Sequence, residues 1–128
     1  MNILLIDDDE AILDCMSEYL TCVGCVQRVV TANSGSLAID RYGNHGPFDA
    51  IISDFEMPGM NGVEAYVALR QLHRNLPPLI MFTGNILEAR RSISKAGVEI
   101  LALIEKSQLE LLKTTLHYIR NERSLKGL

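Results

Sequence analysis

Five short apolar runs, spaced so that one helix fits between each pair, limit the fold of this chain more than any other feature. They are Ile3-Leu4-Leu5-Ile6, Val26 to Val30, Ala50-Ile51-Ile52, Leu79-Ile80-Met81-Phe82 and Ile100 to Ile104. Four are continuous rather than alternating, the pattern of strands covered on both faces. The second, Val26-Gln27-Arg28-Val29-Val30, carries polar residues inside it and reads as an edge strand.

Segments with helical period fill the gaps. Ile12, Tyr19 and Leu20 space one stripe, Leu37, Ile39 and Tyr42 a second, Val67, Leu69 and Leu72 a third, and Ile86, Ile93 and Ala96 a fourth. Leu109, Leu112, Leu116 and Ile119 form the clearest, at spacings of three and four. Asn61…Glu64, Asn85…Glu88 and Ser107…Glu110 each set a capping residue three before a glutamate, which marks a helix start. Gly43, Gly46 and Pro47, then Asn75, Pro77 and Pro78, punctuate the routes into the third and fourth strands. Five strand-helix units joined by right-handed crossovers give an α/β fold, a parallel sheet with helices on both faces. With 128 residues the chain suits one domain. We place that domain at residues 1–122, with a short tail at 123–128 and fraying from Asn121 onward.

Charge and cysteine content narrow the function. A formal net charge of −4 argues against direct nucleic-acid binding. No apolar run approaches the roughly 18 residues of a membrane span. Met1-Asn2-Ile3 leads straight into an apolar run without a basic leader, so a cytoplasmic location is expected. Three cysteines, Cys15, Cys22 and Cys25, leave at least one unpaired, which fits a reducing compartment. Cys22-Val23-Gly24-Cys25 is a lone CxxC without the second ligand pair of a structural zinc site. It falls near a helix end, where the dipole disfavours a thiolate. His45, His73 and His117 are scattered and read as ordinary surface histidines.

In open α/β sheets, ligands bind at the carboxyl ends of strands. Asp7-Asp8-Asp9-Glu10 follows the first run, Ser53-Asp54 the third, Thr83-Gly84 the fourth and Glu105-Lys106 the fifth. Acid, acid, hydroxyl and cation thus converge on one rim. Two unit charges about 4 Å apart repel by roughly 4 kcal/mol at an effective dielectric near 20, so clustered carboxylates need protons or a divalent cation. Hard oxygen donors on a wet rim suit Mg²⁺. An aspartate held beside Mg²⁺ is a competent nucleophile towards phosphorus, with Lys106 and the metal neutralising the phosphoryl oxygens.

These residues carry a family resemblance. Leu4-Leu5-Ile6-Asp7-Asp8-Asp9, Ser53-Asp54-Phe55-Glu56-Met57-Pro58-Gly59-Met60-Asn61-Gly62, Phe82-Thr83-Gly84 and Lys106 resemble the receiver domains of two-component response regulators, chemotaxis regulators included. The resemblance implies a flavodoxin-like, doubly wound (βα)₅ sheet in strand order 2-1-3-4-5. It implies Asp54 as phosphoacceptor, Thr83 as the switch hydroxyl and Lys106 as the motif lysine. Mg²⁺ would be held by Asp7 and Asp8, with Asp8 favoured as direct ligand, by Asp54, and by the backbone carbonyl of Glu56. Glu56 and Asn85, each two residues past a key position, match places that tune hydrolysis. The implied partners are a sensor histidine kinase or histidine phosphotransfer protein and a downstream protein or output domain, with a homodimer on phosphorylation as a further expectation. In the family a proline usually follows the lysine, and an aromatic switch residue often stands three before it; here those positions are Ser107 and Leu103.

Blander and rival readings exist. Asp7-Asp8-Asp9 alone would serve as a helix cap, and Lys106 alone as a solvated lysine. The apolar-then-Asp-x-Asp start also resembles haloacid-dehalogenase-type phosphatases. That reading lacks a later acidic pair and makes Asp7 the phosphorylated residue instead of Asp54. An interaction module that has lost phosphoryl chemistry would keep the fold but not the acids. The expectation is therefore a signalling switch rather than an enzyme.

Overall fold

The computed structural model describes residues 1–23 and 25–125. Five strands alternate with five helices: β1 (Asn2–Ile6), α1 (Glu10–Cys22), β2 (Arg28–Ala32), α2 (Gly35–His45), β3 (Ala50–Ser53), α3 (Gly62–Leu72), β4 (Leu79–Thr83), α4 (Ile86–Ala96), β5 (Ala102–Glu105) and α5 (Leu109–Leu125). The strands form one parallel sheet in the order β2-β1-β3-β4-β5, as the resemblance implied.

Strand periodicity divides the core into two layers, because successive side chains leave opposite faces of the sheet. Ile3 and Leu5 of β1, Ala50 and Ile52 of β3, Ile80 and Phe82 of β4, and Ile104 of β5 meet α1 and α5 on one face. Leu4, Ile6, Ile51, Leu79 and Met81 meet α2, α3 and α4 on the other. The central strands β1, β3 and β4 are buried at nearly every position, which explains their unbroken apolar runs.

Several sequence expectations shift. The second run begins too early: Val26 is buried in the core beside Met1 and Cys25, and pairing starts only at Arg28 opposite Asn2. Thr31 and Ala32 complete that strand because β1 needs partners for Leu5 and Ile6. The fifth run likewise starts late, with β5 at Ala102–Glu105, and β5 is a second edge strand with incomplete burial. In α1 the buried stripe is Leu13, Met16 and Leu20, with Ile12 and Tyr19 packed at its flank. In α3 it is Val63, Ala65, Tyr66 and Leu69, while Leu72 is exposed at the helix end. Leu112, Leu116 and Ile119 of α5 are buried as expected, but Leu109 lies at the exposed start.

Helix starts follow the same mixture. Asn61 and Glu64 form a full capping box, and Asn85 accepts the Glu88 N–H. Ser107 does not cap α5, which begins at Leu109; its hydroxyl is engaged elsewhere. α5 continues to Leu125, past the expected fraying point at Asn121 and through the 122/123 boundary, and Arg123 pairs with Asp49 at 2.9 Å. The last three residues of the expected tail, 126–128, lie outside the described residues. Among the described helices, none is long and apolar enough to cross a membrane.

Candidate functional site

The β-ladder extends one residue beyond each strand and carries the site residues with it. Asp7 N–H donates to the Ala32 carbonyl, Asp54 N–H to the Ile6 carbonyl and Lys106 N–H to the Thr83 carbonyl. Asp7, Asp54 and Lys106 therefore keep the alternation of Leu5, Ile52 and Ile104 and leave the sheet on the α1/α5 face. The Lys106 ammonium reaches both acids, donating to Asp7 Oδ2 at 2.8 Å and to Asp54 Oδ2 at 3.1 Å. Their other oxygens are bonded too: Asp7 Oδ1 accepts the Asp9 N–H at 2.9 Å, and Asp54 Oδ1 the Phe55 N–H at 2.7 Å.

Carboxylate oxygens of Asp7, Asp8 and Asp54 lie within 4.8 Å of one another. Asp7 and Asp54 are only 3% and 8% exposed, whereas Asp8 faces solvent. Burial pushes the Asp7 carboxyl above its ordinary pKa; the Asp54 charge adds to this, and the bonds from Lys106 and Asp9 offset it only in part. Burial also works against the Lys106 ammonium, but hydrogen bonds and charge from Asp7 and Asp54 prevail and hold its pKa above the usual lysine value. Three acids, Asp7, Asp8 and Asp54, thus stand against the one ammonium of Lys106. That deficit and the hard oxygen donors fit a divalent ion such as Mg²⁺. Glu56 is not part of this carboxylate triad.

The β4 side of the rim is arranged separately. Thr83 is buried, and its Oγ1 accepts the Asn85 N–H at 3.2 Å. The Asn85 side chain donates to Glu56 Oε1, spanning the β3–α3 and β4–α4 loops. Beside the acids lies an open cleft of about 400 Å³ lined by Asp8, Phe55, Glu56, Met57, Pro58 and Asn61.

Some supporting residues escaped the sequence reading. Of the three consecutive acids, capping falls to Asp9, which accepts from Ala11 and Ile12 N–H and leaves Asp7 and Asp8 free of that task. Ser53 is buried and its hydroxyl donates to the Asp54 carbonyl at 2.8 Å. Gly62 packs so tightly that a Cβ would lie 2.3 Å from the Asp54 carbonyl oxygen. Its N–H donates to the Phe55 carbonyl, which ties the start of α3 to the end of β3. Gly62 was visible as a motif residue, but its steric reason was not. Cys15 and Cys22 are exposed thiols and Cys25 is a buried one, none of them in a disulfide, and Gly24 of the CxxC lies outside the described residues. Lys106–Ser107 is an ordinary trans bond; the cis peptide among the described residues is Gly46–Pro47.

Known proteins resemble this chain in sequence and in fold. The transcriptional regulatory protein CpxR of Escherichia coli is 35% identical over 99 residues, covering 77% of this chain and 39% of CpxR. The signal transduction histidine-protein kinase BarA of the same organism is 32% identical over 92 residues, covering 71% of this chain and 10% of BarA. The chain thus spans well under half of these curated relatives. The structure of response regulator protein TrrA from Thermotoga maritima, in complex with Mg²⁺ and BeF, superposes with a TM-score of 0.78 at 26% identity, covering 92% of this chain and 97% of TrrA. Residues 3–116 match the family described as response regulator receiver domain. With most of its length inside that match, the chain belongs to the response regulator receiver domain family.

Proposed function

We propose that this phosphorelay receiver takes its phosphoryl group on Asp54, from a phosphohistidine of a sensor kinase or phosphotransfer protein. The observation that carries the assignment is the Lys106 ammonium, bonded at once to Asp7 and Asp54 at the mouth of an acidic triad. A carboxylate oxygen of Asp54 attacks phosphorus in line. The P–O bond forms as the P–N bond to the donor imidazole breaks, and the imidazole leaves with the electron pair. Lys106 neutralises charge on the phosphoryl oxygens, a role that a fixed ammonium fills without reorganisation. Asp7, Asp8 and Asp54, with the backbone carbonyl of Glu56, would hold Mg²⁺, which when bound supplies further charge neutralisation and orientation.

The same reading assigns the output. Thr83 keeps its O–H to donate to a phosphoryl oxygen, and moving towards it weakens its acceptance of the Asn85 N–H. Asn85 caps α4 and holds Glu56, so that shift is passed to the start of α4. α4 is easily moved, because Ala89 is its one fully buried side chain. The chain acts as a signalling switch towards a downstream protein or output domain, and its catalysis is limited to gaining and losing its own phosphoryl group.

The test is incubation with acetyl phosphate or beryllofluoride, with and without Mg²⁺, for wild type and Asp54→Ala, with intact mass as readout. A Mg²⁺-dependent adduct on wild type that Asp54→Ala lacks is the expected result. An adduct on Asp7, as the phosphatase reading requires, would overturn the assignment.

A further inference from the structure

We infer that Ser107 is a positioning residue for Lys106, acting through a side-chain hydrogen bond to Glu105. The inference rests on the assignment of Lys106 to phosphoryl transfer at Asp54. Lys106 is a long, flexible side chain whose rotamer freedom opposes a fixed bridge between two acids. It nevertheless stands at the first turn position after β5, and the backbone on either side is tied down. Its own N–H donates to the Thr83 carbonyl at 3.2 Å, and the Gln108 N–H closes a turn onto the Glu105 carbonyl at 2.9 Å. Across that turn the Ser107 hydroxyl donates to Glu105 Oε1 at 2.8 Å. Glu105 is anchored in the sheet opposite Thr83, so the clamp refers Lys106 to β4 rather than to α5.

An alternative use of Ser107 is as a helix cap, but α5 begins at Leu109, so Gln108 and not Ser107 precedes its first residue. Both clamp side chains are exposed, so they add little to the core and their replacement leaves the fold intact. The loss is in alignment. An ammonium that samples other rotamers spends less time on the two carboxylates, and neutralisation of the transferring group weakens accordingly.

The rate of adduct formation with acetyl phosphate and Mg²⁺ tests this. Ser107→Ala should slow it about threefold to tenfold, the worth of one hydrogen bond expressed in a barrier, at an unchanged melting temperature. Ser107→Thr, which keeps the hydroxyl, should restore the rate. Glu105→Ala should match Ser107→Ala, and the double variant should be no slower than either, since both break the same contact. On a Lys106→Ala background, Ser107→Ala should change nothing. A wild-type rate in Ser107→Ala would overturn the inference, as would equal slowing on the Lys106→Ala background. Failure of wild type to form an adduct, or an adduct that survives Asp54→Ala, would instead overturn the site assignment beneath it.

Discussion

The two ends of the same sheet are built on opposite terms. At the carboxyl end lie Asp7, Ser53, Asp54 and Thr83, the buried polar and charged side chains among the described residues. At the amino end an ion pair has water access: Asp49 and Arg123 bond at 2.9 Å with side chains 21% and 41% exposed. Asp49 also accepts the Asn2 N–H at 2.6 Å, so this end is closed by bonds that serve the fold. The rim holds like charges together out of water, an arrangement that costs stability unless a cation or phosphoryl chemistry uses it. The amino end uses its charges to close the fold, whereas the rim buries two carboxylates beside one ammonium.

Substitutions at the two ends should separate these roles. The largest effect belongs to Gly62→Ala, because the new Cβ meets backbone rather than a side chain able to turn away. We expect a loss of about 3 kcal/mol or somewhat less in denaturant unfolding, together with slower phosphoryl acceptance as the Asp54 carbonyl is displaced. Next comes Asp49→Ala, which removes an ion pair and the acceptor for Asn2 N–H. A cost of roughly 1–2 kcal/mol is expected, with the rate of adduct formation unaltered; a changed rate would mean that the two ends are coupled. Asn61→Ala breaks the capping box of α3 and should cost about 1 kcal/mol. Arg123→Ala, at a half-exposed pair, should cost about 0.2–1 kcal/mol and less in high salt.

The smallest change in stability should come from a member of the acidic triad. Asp7→Asn removes a buried carboxylate whose ionised form is disfavoured first by burial and then by the Asp54 charge. Without divalent cation its unfolding midpoint should hold or rise relative to wild type, while Mg²⁺ affinity and Mg²⁺-dependent adduct formation fall. A clear drop in stability would show that the bond to Lys106 outweighs the desolvation of the acid, and would remove the contrast between the ends.

Legibility tracked the strength of local constraint. The central runs Ile3 to Ile6, Ala50 to Ile52 and Leu79 to Phe82 announced themselves because burial on both faces leaves no room for polar residues. The second run was displaced by two residues, because Val26 is buried by packing without joining the ladder, and apolarity alone does not distinguish the two. Asp7, Asp54 and Lys106 could be nominated from their places just past the carboxyl ends of the apolar runs. Their shared side of the sheet depended on register, which no single run displays.

The amino-acid order by itself determined the alternation of strands and helices, the polar residues at the strand ends and the capping of α3 and α4. These are local matters of hydrophobic period and side-chain reach to a neighbouring N–H. The tertiary structure alone decided which of three consecutive acids caps a helix, why position 62 admits no side chain, and that Ser107 turns to Glu105 instead of α5. Each of these depends on contacts between segments distant in sequence, or on a choice among nearly equal local partners. Such choices are made only when the sheet brings the strand ends together.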